Sequence, residues 1–250
     1  MTLEISTHRT MLLHLLKDIY TNTTLGPLLG FKGGTAAYLF YNLARFSVDL
    51  DFDLLDADQK TYVFEQLKEI LTEYGIVKDA REKRYSIFFL LSYHDKRHNA
   101  YNIKIEVNLR NFGSRYEVKS YLGIPMKVMI QEDMAAHKMV AMFERIGTTN
   151  RDIFDTWFFL KNHWTLNEKI IEQRTGLSMK QFLQVCIDHL EAMSDRGILS
   201  GIGELLDAQQ KVWAKAKLRT ETIFLLRMRD RKSTRLNSSH LKLSRMPSSA

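Results

Sequence analysis

The sequence predicts an α+β protein: an α/β domain with a mixed sheet over residues 1–130, followed by an all-α helical domain over residues 131–230. Two observations carry this reading. Helix and strand periodicities interleave before about residue 130, whereas helical periodicity alone continues after it. The 250 residues, 45% of them hydrophobic and 26% charged, are also enough to fill more than one core.

In the first part, residues 9–20 read as an amphipathic helix, and residues 28–32 as a short strand running into Gly33 and Gly34. Residues 35–43 read as helix, 48–54 as an alternating strand and 57–73 as helix, and further strands are expected at 86–93, 102–109, 116–121 and 125–128. In the second part, helices are expected at about 132–145, 151–162, 179–193 and 207–228.

The net charge of +7 would ordinarily point to an acidic partner, but its location changes the reading. Arg231, Lys232, Arg235, Lys242 and Arg245 lie in the last twenty residues without an acidic neighbour, so omitting that segment leaves +2. Residues 231–250 are serine-rich, lack a sustained apolar period and resemble a vector- or adapter-derived read-through. They are therefore expected to be a non-native disordered tail.

Cys186 is the lone cysteine and has no CxxC or HExxH spacing around it, which excludes an internal disulfide and fits a reducing cytoplasm. Residues 1–4 lack the pattern of a signal peptide, and the apolar run at 85–93 is too short to span a bilayer. His94 and His98 form the close histidine pair, read as part of a polar hairpin loop. Trp157, Phe158 and Phe159 fall in a helical pattern and read as core.

The chemistry concentrates at Lys32-Gly33-Gly34-Thr35 and at Asp49, Asp51 and Asp53. A glycine pair where a strand enters a helix permits close backbone approach to phosphate, and the helix N-terminus adds free N–H groups. The spacing is neither a Walker A loop nor GxGxxG, and a simple helix cap remains open as a reading. On a strand, Asp49, Asp51 and Asp53 share one face, a like-charge row that a divalent cation would relieve and that a solvated edge would also allow. Downstream, Lys104, Glu106 and Asn108 alternate with Ile103, Ile105 and Val107, so Glu106 either completes the carboxylate set or pairs with Lys104.

These elements together resemble the DNA polymerase β-type nucleotidyltransferase superfamily. The longer run from Phe31 through Leu54 closely resembles the signature of the AbiEii/AbiGii group of toxin nucleotidyltransferases, found in type IV toxin–antitoxin and abortive-infection systems. The likeness continues in a lysine-bearing helix, with Lys138 and Arg145, followed by the RDxxD of Arg151, Asp152 and Asp155. Val48 and Glu106 stand where the family more often has acidic residues and Asp, respectively.

The resemblance implies Mg²⁺ held by Asp49, Asp51 and Glu106, and an NTP bound by Lys32, Gly33, Gly34, Thr35, Lys138, Arg145, Arg151 and Asp155. Asp49, Asp51, Glu106, Lys138 and Asp152 would be the catalytic set, with the expected reaction moving NMP to a tRNA 3′ end. It further implies an adjacently encoded antitoxin and no membrane partner. Transfer to a small hydroxylated molecule, and nucleotide binding without turnover, are the alternative readings. Candidate RNA-binding patches are residues 78–84 and 211–219.

Overall fold

The computed structural model describes residues 4–94 and 100–243, with side chains described as far as residue 230. The chain divides into two compact units, Met1–Met134 with Glu204–Leu206, and Ala135–Gly203 with Asp207–Ala250.

The first unit carries a seven-stranded mixed sheet. Helix α1 (Ile5–Thr21) leads to β1 (Leu29–Lys32), α2 (Gly33–Tyr41), β2 (Leu50–Leu54), α3 (Lys60–Tyr74), β3 (Ile76–Glu82), β4 (Ser86–His94), β5 (Ala100–Asn108), β6 (Tyr116–Tyr121) and β7 (Ile124–Met129). In space the order is β3-β4-β5-β2-β1-β7-β6. The β2–β5 and β1–β7 pairs are parallel and the others antiparallel.

Alternation in the three central strands segregates the two faces of the sheet. Leu29, Phe31, Leu50, Phe52, Ile103, Ile105 and Val107 are fully buried, while Lys32, Asp51, Lys104 and Glu106 occupy the intervening positions. Helices α1 and α3 supply matching apolar stripes, Leu12, Leu15, Leu16 and Ile19 on one and Val63, Leu67 and Leu71 on the other. This apolar face anchors the strands that carry the polar row.

Strand β3 was not expected from the sequence, because Ile76–Glu82 lacks clean alternation and is largely exposed. Pairing with β4, from Ile76 opposite Ser92 to Glu82 opposite Ile87, makes it a strand. Strand β2 begins at Leu50, two residues later than the alternation suggests, so Asp49 lies just before it. The β6–β7 hairpin turns through Leu122 and Gly123, both at positive φ.

Every other described element is helical: α4 (Gln131–Arg145), α5 (Arg151–Lys161), α6 (Glu168–Thr175), α7 (Met179–Ala192) and α8 (Ala208–Leu243), apart from short 3₁₀ turns. Helix α6 escaped the sequence reading because its eight residues bury only Ile170 and Ile171. The α7 start is a capping box, with Ser178 and Gln181 satisfying each other's backbone N–H groups. Trp157 and Phe159 are buried, in keeping with a core role; Trp157 packs 4.1 Å from Trp213, and its indole donates to Glu221. Burial pushes the Cys186 thiol up to about 12, as expected of an inert core cysteine.

Helix α8 continues through residues 231–243, where the sequence reading starts a tail; residues 244–250 lie outside the described residues. His98 and residues 1–3 also lie outside them. Among the described residues no helix is long and apolar enough to cross a membrane.

His8 fastens α1 to the segment leading into β2. Its Nε2 donates to the Val48 carbonyl at 2.9 Å, and Tyr93 donates to Nδ1 at 2.6 Å. Burial depresses its pKa, outweighing the Val48 hydrogen bond and the Asp49 charge that act to raise it. The unfolded chain therefore takes up this proton at a higher pH than the folded one, and stability falls as pH drops below about 6.5. Thermal melts should show that decline, with a shallower slope in His8→Phe. This variant should also lose about 1–3 kcal/mol at neutral pH by stranding two buried polar groups.

Candidate active site

The register of three strands builds the site in the first unit. Lys32 on β1 lies opposite Asp51 on β2, and Asp51 lies opposite Glu106 on β5. One pair further along, Gly30 faces Asp53, which faces Asn108. Two cross-strand rows of polar side chains result, both on the sheet face opposite the apolar one.

The glycine turn is fitted against this row. Gly33 has φ +79°, and a Cβ there would come within 2.4 Å of Asp51 Oδ2. Both backbone conformation and space therefore require glycine. A Cβ on Gly34 would stand 2.7 Å from Ser47 Oγ and 2.9 Å from an Arg45 guanidinium nitrogen. Arg45 and Ser47 are themselves buried, and Arg45 donates to the Phe46 carbonyl. The sequence reading saw Arg45-Phe46-Ser47 only as family likeness, whereas in the structure it is the support beneath the turn.

Thr35 is 1% exposed, and its hydroxyl donates to the Asp49 carbonyl and lies 3.0 Å from Ser47 Oγ. Its side chain thus fixes the backbone that presents Asp49. The N-terminus of α2, beginning at Gly33, brings the free N–H groups of a helix start beside Asp51.

Asp53 is separated from the other acids by its partners. Lys32 Nζ reaches it at 2.5 Å, Asn108 donates to it at 2.6 Å, and the Tyr116 hydroxyl donates to its second oxygen. Burial acts to raise its pKa, but the Lys32 ammonium and these hydrogen bonds outweigh it and hold the carboxyl below the usual range. Tyr116 reaches across because Gly30 has no side chain; a Cβ there would lie 2.3 Å from the tyrosine ring. Tyr116 and Asn108 were not among the expected site residues. The alternation on β5 could have pointed to Asn108, but nothing local points to Tyr116.

Glu106 is half-buried and bonded to Lys104, Nζ to Oε2 2.9 Å. Burial acts to raise its pKa, yet Lys104, a hydrogen bond from Ser86 and the charge of Lys83 hold it below the ordinary glutamate value. Lys104 experiences the converse: burial acts to lower its pKa, and Asp51, Glu106 and Asp49 more than compensate. Asp51 and Glu106 are neighbouring hard-oxygen donors, a set that suits Mg²⁺. Among the described residues, however, no group of three or more His, Cys, Asp or Glu side chains is gathered as a metal cluster.

A separate constellation lies in the second unit. Lys138 of α4 bridges Asp152 and Asp155 of α5, 2.9 Å from each, and Arg145 stands 2.9 Å from the other Asp152 oxygen. The Arg145 contact is an ion pair without hydrogen-bond geometry, as that oxygen has no hydrogen bond. Both aspartates are fully buried. Positions 138 and 145 project alike because seven residues make nearly two helical turns, and 152 and 155 share a face for the same reason. Arg151 opens α5 and is half-buried.

Residues 14–221 match the family described as Nucleotidyl transferase AbiEii toxin, Type IV TA system. Among solved structures, the chain is similar to JHP933 from Helicobacter pylori, at 22% identity over 98% of this chain and 100% of that one, with a TM-score of 0.64. It is also similar to MenT4, a nucleotidyltransferase toxin from Mycobacterium tuberculosis H37Rv, at 20% identity over 88% of this chain and 83% of that one, with a TM-score of 0.60. No curated protein matches it.

Removing Lys138 would leave two buried carboxylates with Arg145 as the remaining cation described beside them. Lys138→Ala should lower the unfolding free energy by about 3–5 kcal/mol in urea denaturation. An unchanged midpoint would show that the ion pairs do not hold α4 to α5.

Proposed function

This chain belongs to the AbiEii nucleotidyl transferase toxin family of type IV toxin–antitoxin systems, and from that premise we propose an Mg²⁺-dependent enzyme that transfers NMP from an NTP to the 3′ end of tRNA. Nucleotidyl transfer is the family's activity, and a divalent metal is its general requirement. Support for the metal-dependent reading comes chiefly from the alignment of Asp51 with Glu106 beside the glycine turn.

In this reading residues 1–130 form a polymerase β-type nucleotidyltransferase domain, residues 131–230 a helical domain, and residues 231–250 take no part in the reaction. The backbone N–H groups of Gly33 and Gly34 bind the β- and γ-phosphates, and Thr35 holds Asp49 in place. Asp49, Asp51 and Glu106 are the candidate metal donors; a bound Mg²⁺ supplies charge neutralisation on the triphosphate and acidifies the acceptor hydroxyl. The acceptor oxygen attacks the α-phosphorus, the bond to the β-phosphate oxygen breaks, and pyrophosphate leaves. Most of the rate enhancement then comes from alignment and electrostatics.

Lys32 is positioned by Asp53 at the edge of the turn. In the second unit, Asp152 and Asp155 act as positioning residues that hold Lys138 and Arg145 as nucleotide-binding cations, with Arg151 beside them in sequence. The family implies an antitoxin, expected from a neighbouring gene, and the site of action is taken to be the cytoplasm.

The basic patches support an RNA acceptor unequally. In residues 78–84, Arg81 pairs with Asp79, and Glu82 pairs with Lys60. On α8, Lys215 and Lys217 are exposed and Lys211 lies one turn before Lys215. The α8 patch is therefore the stronger candidate for phosphate contacts.

Incubation with total tRNA, Mg²⁺ and each α-labelled NTP in turn should place label in the tRNA band. Asp51→Asn should reduce it about a hundredfold or more while retaining a native melt. Reversing Lys211, Lys215 and Lys217 to Glu should weaken tRNA binding and flatten its salt dependence. Full labelling by Asp51→Asn would refute the site assignment. Label on a small hydroxylated acceptor, with none on tRNA, would move the acceptor to that class.

A further inference from the structure

Lys104 places a positive charge among the carboxylates expected to collect cations. It is two residues before Glu106 on β5, so both side chains project from one face, and the two are bonded at 2.9 Å. The parallel register sets Leu50 opposite Ile105 and Asp51 opposite Glu106. Continued one residue back, it brings position 49 alongside position 104. Lys104 therefore occupies one corner of a square whose other corners are Asp49, Asp51 and Glu106.

Its side chain is 29% exposed and that of Glu106 is 34% exposed, so the pair is partly withdrawn from solvent screening. Lys32, the other ammonium in these rows, is already bonded to Asp53. Asp49, Asp51, Glu106 and Lys104 together carry a formal charge of −2. That equals the charge needed to neutralise one divalent cation, whereas two such cations would leave the group strongly positive.

The same geometry distinguishes the corners. Lys104 engages an oxygen of Glu106, whereas Asp51 lies against the glycine turn, where a triphosphate would meet the sheet. We infer that Lys104 takes the place of a second metal ion on the Glu106 side, so that this enzyme binds a single divalent cation anchored on Asp51. Lys104 is in this role a positioning residue that orients Glu106 and sets the metal stoichiometry. The proposal rests on the nucleotidyltransferase reading and deepens it, because it specifies how many ions the reaction requires.

The test counts metal rather than turnover. Mn²⁺ is titrated into the full chain and followed by its electron paramagnetic resonance, alone and with each of the four non-hydrolysable NTP analogues. The wild type should bind one ion per chain at this site, and Asp51→Asn should abolish that binding. Lys104→Met, which keeps side-chain length and removes the charge, should bind two ions or bind the first at least about tenfold more tightly. Lys104→Arg should remain at one.

Two ions in the wild type would overturn the proposal while leaving the nucleotidyltransferase reading intact. So would a folded Lys104→Met with unchanged stoichiometry and affinity. No Mn²⁺ bound under any condition, or binding indifferent to Asp51→Asn, would overturn the metal-site reading and the proposal together. If Lys104→Met does not fold, the wild-type count and Lys104→Arg decide the question.

Discussion

The site depends on how closely Asp51 can approach the backbone at Gly33. Even one added carbon at Gly33 would collide with the Asp51 carboxylate, at 2.4 Å from Oδ2, and the backbone there holds a positive φ. This contact needs β1 and β2 paired antiparallel with Lys32 opposite Asp51, and β2 and β5 paired parallel with Asp51 opposite Glu106. A one-residue slip in either ladder would turn the carboxylates into the apolar layer. The fully buried Phe31, Phe52, Ile105 and Val107 oppose such a slip, so the greasy face of the sheet specifies the polar one.

Buried charge has a different role in each unit. Asp53 is 7% exposed and held by Lys32, Asn108 and Tyr116, while Asp152 and Asp155 are fully buried around Lys138. Desolvating such groups costs several kcal/mol per ion, and their attraction only partly offsets it. A fold selected for stability alone would fill these places with hydrocarbon. Their value is geometric: each network fixes a cation with little freedom to move, as a preorganised electrostatic site requires.

Much of this arrangement could be read from the sequence where local pattern decides structure. The alternation of Ile103, Ile105 and Val107 with Lys104, Glu106 and Asn108 predicts β5 and its polar face, and the seven-residue spacing of Lys138 and Arg145 predicts that they project alike. Pairing partners were less accessible. The isolation of Asp53 from Asp49 and Asp51 depends on Tyr116, sixty-three residues away, and on Gly30 leaving room for its ring. Thr35 reads as a phosphate ligand until tertiary packing turns its hydroxyl toward Asp49. Strand β3 exists because β4 offers it a ladder, a non-local cause that leaves no periodic trace in Ile76–Glu82.

The central claim is that Asp51, set against the glycine turn and aligned with Glu106, anchors the catalytic metal. Anomalous diffraction from crystals grown with Mn²⁺ and a non-hydrolysable NTP tests this most directly. The account predicts one anomalous peak within coordination distance of an Asp51 carboxylate oxygen, with the triphosphate lying over Gly33 and Gly34. A nucleotide bound elsewhere, or a peak with no Asp51 ligand, would contradict it.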